Sequence, residues 1–181
     1  MFLSEQAWWI EDYSLFRAIH AREQERAWTD WPIELQRREP PAIDRARREL
    51  SREVLFFQYL QWIAALQWRE AHRRAQGVQL FGDLPFMVDG DSADVWARQH
   101  QFHLDVSLGV PPDAFSASGQ DWGMPVYRWD VVAARGLSLA ARARAAQRRS
   151  LRRLPRRPSR RLLSHLRPSE GRRRSVLHAA R

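Results

Sequence analysis

Apolar positions recur at helical spacing from Ser4 to Ala21, with Trp8, Tyr13, Leu15, Phe16 and Ile19 on or near one side and Ser4 placed to cap the first turn. This predicts an amphipathic helix in which the paired Trp8 and Trp9 serve packing. Trp28 to Leu35 (WTDWPIEL) predicts a turn about Pro32 leading into a short helix. Pro40-Pro41 then opens a long helix, Ala42 to Gln76. Its first half is charged and amphipathic. From Val54 to Trp68 (VLFFQYLQWIAALQW) apolar residues run nearly all round, the pattern of a helix buried among other elements. Gly77 stops the helix, and Val78 to Phe81, bounded by Gly77 and Gly82, predicts a short buried strand. Helix, strand and polar loop in that order form one unit of an alternating α/β fold.

The polar segments after that strand carry the candidate chemistry. Asp83 stands where the strand hands over to a loop, the position at which barrel folds collect site residues. DGDSADVW and GVPPDAFSASGQDWGMPVYRW combine acids, amides, hydroxyls and Trp in loops. Such a mixture suits a sugar, whose ring stacks on an aromatic face while its hydroxyls bond to polar groups. Within DSADVW, Asp91, Ser92 and Asp94 suit the capping of a helix that carries Trp96.

The formal charge of +9 first suggests a nucleic-acid binder, but the charge is not spread evenly. Residues 1–130 hold 14 of the 30 basic and 20 of the 21 acidic residues, a net of −6, whereas residues 131–181 hold 16 Arg and one acid, Glu170, a net of +15. Every aromatic residue precedes position 131. An acidic, aromatic-rich globular piece is thus joined to an Arg-rich tail that cannot build a comparable core and is expected to be disordered. The chain has no cysteine, which removes disulfides, thiolate metal sites and a Cys nucleophile. The opening MFLSEQAWWIEDY lacks a basic and then apolar leader pattern, and no apolar run is long enough to span a membrane, so a cytoplasmic protein with no membrane partner is expected. His72, His100 and His103 have no metal-binding spacing, and no metal or cofactor is expected.

GDLPFMVDGDSADVW, GVPPDAFSASGQDWG and PVYRWD together resemble the 4-alpha-glucanotransferases, the amylomaltases or disproportionating enzymes of glycoside hydrolase family 77. The resemblance runs from about Glu5 through Gly136 and implies a (β/α)8 barrel of TIM type with an inserted helical subdomain. It divides the chain into a partial catalytic domain at 1–136, with a helical insert at 4–76 and a strand with substrate loops at 77–130, and a tail at 137–181. The implied activity is transfer of 1,4-α-glucan segments to glucose or another glucan by retaining double displacement, with malto-oligosaccharides as partners and no catalytic metal. The resemblance places Asp83 near the sugar being transferred. It also places Asp113, Gln120 and Trp122 on a loop arching over the substrate groove, with Phe115 and Trp122 as stacking surfaces. Ala114 departs from the family, where many members carry Tyr, and FHLDVSLGVPPD is shorter than the usual turn. The family's nucleophile segment, Arg-Val/Ile-Asp-His, occurs nowhere in the chain, so neither nucleophile nor acid/base is present. The chain therefore reads as an internal fragment, inactive alone, with the first barrel strands expected upstream of Met1.

The tail reads as frameshifted. One extra T in a GC-rich coding of the family's Gly-Tyr-Arg-Trp gives Gly-Leu-Ser-Leu-Ala, the sequence at 136–140. The same frame applied to the nucleophile segment gives a run one residue different from RRLPRRPSRRLL at 152–163. Two alternatives stay open: a non-catalytic glucan-binding fragment, and a basic protein that binds nucleic acid nonspecifically through its tail by phosphate neutralisation.

Overall fold

The computed structural model describes residues 1–75, 78, 87–134 and the backbone of 177–178. Asp83, the strand expected beyond Val78 and nearly all of the Arg-rich tail lie outside the described residues. The chain divides into two compact units, Met1–Val78 with Asp91–Arg98, and Gln79–Gly90 with Gln99–Arg181.

The first unit is helical. Helix α1, Phe2–Arg22, buries Ile10, Ser14, Leu15, Phe16, Ala18, Ile19 and His20, close to the stripe read from the sequence. Its cap position is Met1 rather than Ser4, which lies in the first turn and returns its hydroxyl to the Met1 carbonyl. After α1 the chain reverses through Gln24 and Glu25 at φ 60° and 57°, a conformation that disfavours side chains. The Glu25 carboxylate holds this turn by reaching His20 Nδ1 at 2.7 Å and Arg17 at 3.4 Å. A 3-10 turn at Trp28–Asp30 and the short helix α2, Ile33–Gln36, flank Pro32, and Trp28 and Trp31 are buried as packing residues.

The expected long helix is two helices. α3, Pro40–Glu49, and α4, Ser51–Arg74, meet at Leu50, whose φ of −102° and ψ of 23° leave the helical path. The Leu50 amide still donates to Ala46 and its carbonyl accepts from Val54, so the break costs little hydrogen bonding. No Gly or Pro marks it; the sequence signal is Ser51, a residue type that favours helix starts, although its side chain makes no capping bond. A second correction concerns burial. α4 contains no buried residue, and Leu55, Phe56, Tyr59, Leu60, Trp62, Leu66 and Trp68 are exposed. Its flank toward α1 is engaged through Gln58 to Ser14, Gln61 to Tyr13 and Arg17 over the Phe57 ring.

Ser92 caps the short helix α5, Ala93–Ala97, by accepting from the Val95 amide, and α5 inserts Trp96 into the first unit. Trp96 is wholly buried, in ring contact with Phe16 and Trp31, and its indole nitrogen donates to the Leu35 carbonyl at 2.9 Å. The Arg38 guanidinium lies 4.1 Å over the same ring while bonding Asp12 at 2.7 Å. Asp91 accepts from the Trp28 amide at 3.0 Å and faces His20 Nε2 at 3.2 Å. The capping read from DSADVW is done by Ser92, while Asp91 is structural through Trp28 and His20 and Asp94 through an ion pair with Arg98 at 2.9 Å.

The second unit is built on a hairpin where the sequence pattern predicts loop. Strand β1, Phe102–Val110, pairs antiparallel with β2, Gln120–Tyr127, with Phe102 opposite Tyr127 and Val110 opposite Gln120. A two-residue strand β3, Leu177–His178, runs parallel on the other side of β1. Leu108 and Val126 form a small core with Met87, Val106 and Met124, and Phe102, Tyr127 and Trp129 stack in series into the helix α6, Trp129–Ala134. The described residues therefore hold helices and one small sheet; the expected barrel is not among them.

Trp96→Ala should destabilise the 181-residue chain by about 3–5 kcal/mol, since it empties a buried site and orphans the Leu35 carbonyl. Leu55→Ala, at an exposed position, should stay within about 0.5 kcal/mol. Urea unfolding of the two variants measures both; equal effects would contradict this packing.

Candidate functional site

Four of the five candidate residues are described, and all four belong to the β1–β2 hairpin. β1 ends at Val110, Pro111-Pro112 carries the chain outward, and Asp113 begins the turn. The Asp113 carboxylate oxygen Oδ1 accepts from the amides of Phe115 and Ser116, each at 2.8 Å, while the Asp113 amide donates to the Ser116 carbonyl at 2.9 Å. Asp113 thus folds the turn around its own side chain, the local device that makes Asp frequent in turns.

The far side of the loop is closed by Ser116 and Gly119. The Ser116 hydroxyl donates to the Gly119 carbonyl at 2.7 Å, and Gly119 takes φ of 77°. A Cβ at Gly119 would sit 2.5 Å from the Val110 carbonyl oxygen, so both the conformation and the closeness of the strands require glycine. Gln120 then opens β2 opposite Val110.

The turn holds Phe115 at its tip, 94 % exposed, and Trp122 on the adjoining strand, 41 % exposed. The Trp122 indole nitrogen donates to Gln120 Oε1 at 3.1 Å, which fixes the two side chains relative to each other. The structure therefore joins Gln120 to Trp122 directly, and joins Asp113 to Phe115 through the turn backbone. Asp121 was not a candidate. Its carboxylate accepts from the Ser107 hydroxyl across the strands and from the Gly123 amide, so it ties β1 to β2 beside Trp122. Only the pairing of Ser107 with Asp121, invisible without the hairpin, could have pointed to it.

No group of three or more His, Cys, Asp or Glu side chains converges as metal ligands among the described residues. None of the described helices is long and apolar enough to cross a membrane.

Asp113→Ala should loosen the tip without unfolding the strands. Losing two amide hydrogen bonds at an exposed turn, each worth about 0.5–1.5 kcal/mol, should speed hydrogen exchange at Phe115 and Ser116 by about tenfold. Exchange unchanged at those two amides would show that the turn does not depend on Asp113.

Comparison with known proteins gives the hairpin its context. A model of the 4-alpha-glucanotransferase family, glycoside hydrolase family 77, matches residues 1–149. The chain is similar to the 4-alpha-glucanotransferase of Thermus thermophilus, 43% identical over 145 residues that make up 76% of this chain and 29% of that protein. It is 41% identical over 146 residues to the 4-alpha-glucanotransferase of a Synechocystis strain, with the same shares covered. Among solved structures it resembles the amylomaltase of Streptococcus agalactiae in complex with acarbose, with a TM-score of 0.78 and 29% identity over 84% of this chain and 32% of that one. The chain spans about three-tenths of the length of the curated relatives it matches. With its family match covering most of its length and its fold matching at that level, the chain belongs to the 4-alpha-glucanotransferases of glycoside hydrolase family 77.

Proposed function

We propose that this chain supplies part of the glucan-binding surface of a 4-alpha-glucanotransferase and none of its catalytic carboxylates. In this reading Phe115 and Trp122 offer flat faces to the sugar rings, and Gln120 and Asp113 offer polar atoms to the hydroxyls. Asp83 completes the set near the transferred sugar, on the strength of its match to the family motif. The observation that carries the proposal is the exposure of Phe115 on a tip ordered by Asp113, in a chain of this family. A large aromatic held almost fully in water by a built turn is poorly explained by packing, and a flexible linker would not order its own tip with two carboxylate–amide bonds.

The reaction proposed for the complete protein is transfer of 1,4-α-glucan segments to glucose or another glucan. A retaining double displacement needs two carboxyl groups about 5–5.5 Å apart, one as nucleophile and one as acid/base. The nucleophile segment expected from the family does not occur in this sequence, and in this reading neither group is supplied by the 181 residues.

Calorimetric titration of the chain with maltoheptaose tests the surface. Phe115→Ala and Trp122→Ala should each weaken binding by about tenfold, or about 1.4 kcal/mol. Binding that survives both substitutions, or no binding by the native chain, would sink the reading. The native chain should also release no glucose from maltotriose; measurable release would show that it carries catalytic groups of its own.

A further inference from the structure

His20 lies near the end of α1 and is buried, its ring stacked on Phe16 at a centroid distance of 5.4 Å and set edge-on to Trp31 at 6.2 Å. Both ring nitrogens meet a carboxylate. Nδ1 is 2.7 Å from Glu25 Oε2 in the turn after α1, and Nε2 is 3.2 Å from Asp91 Oδ2 in the segment that leads into α5. An ionised carboxylate only accepts hydrogen bonds, so filling both contacts requires a proton on each nitrogen, which only the imidazolium carries. A neutral ring donates once and turns a lone pair toward the other carboxylate. The charged groups that the structure brings to this ring are Glu25, Asp91 and Arg17, which shares the Glu25 oxygen at 3.4 Å. The neighbouring acids turn elsewhere, Glu23 to Arg22 and Arg26, and Asp94 to Arg98.

We propose that His20 is a proton-operated clasp, closed on both carboxylates when its ring is protonated and open toward Asp91 when it is not. The neutral ring keeps its proton on Nδ1, where the contact is shorter, and Nε2 then offers Asp91 no donor. The other Asp91 oxygen still accepts from the Trp28 amide at 3.0 Å, so the segment is loosened and not released. The gain from the second ring contact is therefore present while the imidazole is protonated and is lost as rising pH deprotonates it. The Asp91 side chain is 35 % exposed, so water makes good part of the loss and the effect is several-fold. Asp91 directly precedes Ser92, the cap of α5, and α5 inserts Trp96, so the clasp bears on the element that anchors the helical unit. Proton concentration thus sets how firmly the α5 segment is tied to the end of α1. The inference uses neither family membership nor the hairpin as a glucan contact.

The test is urea unfolding of the 181-residue chain at about pH 5.5 and about pH 8.5, on either side of the range in which imidazoles titrate and above the usual carboxylate range. The native chain is compared with His20→Gln, which removes the titrating ring, and with Asp91→Asn. The amide of the second variant can still accept from Trp28 and can donate to an unprotonated Nε2. Between the two pH values the unfolding constant of the native chain should rise about fivefold more than that of either variant. Proton–nitrogen correlation spectra of the native chain, with the His20 signals identified by their loss in His20→Gln, should show both ring nitrogens protonated at the lower pH and Nε2 bare at the higher. If His20→Gln fails to fold, Asp91→Asn serves as the comparison. If both fail, the spectrum of the native chain decides, its His20 signals then assigned through the backbone. Equal pH dependence in the native chain and in either folded variant overturns the proposal, as does a His20 ring with the same protonation at both pH values. No step uses a glucan, so the outcome is independent of the hairpin titrations.

Discussion

The first unit depends on the burial of one side chain. Trp96 arrives on a five-residue helix that could not hold itself in water, and is gripped from several sides at once. Phe16 from α1 and Trp31 from the Pro32 turn meet its ring, Arg38 covers one face, and the Leu35 carbonyl takes its indole proton. A Trp removes about 150–250 Å² from water, worth about 4–6 kcal/mol at 25 cal/mol per Å². That is comparable to the whole stability of a small domain. The carboxylate of Asp91 performs the same service at lower energy, tying the approach to α5 to the Trp28 amide. Arg98 does so at the other end by donating to the Trp8 carbonyl at 3.0 Å.

Around that anchor, the parts written in local signals were readable in advance. α1 shows a periodic apolar stripe, the short helix after Pro32 follows a residue that cannot continue an earlier one, and Ser92 precedes α5 as a capping residue should. The break at Leu50 is weakly marked, because neither Gly nor Pro stands there and its sequence signal is no more than Ser51 at the start of α4. The hairpin was missed for a different reason. β1 slips register against β2 between His103 and Ser107 and again at Leu108, so burial along it follows no clean alternation. Its connection also lacks the short Asn-Gly or Asp-Gly turn that marks a tight hairpin. Of the candidate site, Asp113, Phe115, Gln120 and Trp122 are candidates by residue type and resemblance, while the structural part played by Asp121 depends on a partner on the opposite strand.

α4 shows what a pattern of apolar residues does and does not say. VLFFQYLQWIAALQW is written for a helix with neighbours on several sides, and among the described residues it has α1 along one flank and α3 at its start. A periodicity reports how many faces want burial; it carries no information on whether the partners reside in the same polypeptide. The mismatch between an interior-type pattern and the exposed surface of α4 is therefore one that the sequence pattern alone does not foresee.

The hairpin carries the complementary argument. Retaining glycosyl transfer requires carboxylates free to attack an anomeric carbon and to move a proton. Neither Asp113 nor Asp121 is free in that sense: Asp113 accepts from two backbone amides, and Asp121 accepts from Ser107 and Gly123. A carboxylate that builds a turn cannot leave it to form a glycosyl bond without undoing the turn. What these acids do instead is hold Phe115 and Trp122 outward, and an aromatic face held outward acts by contact. On the proposed reading, the tip therefore contributes affinity and alignment for a glucan, and a segment built this way needs its chemistry delivered by acids that stand on other strands.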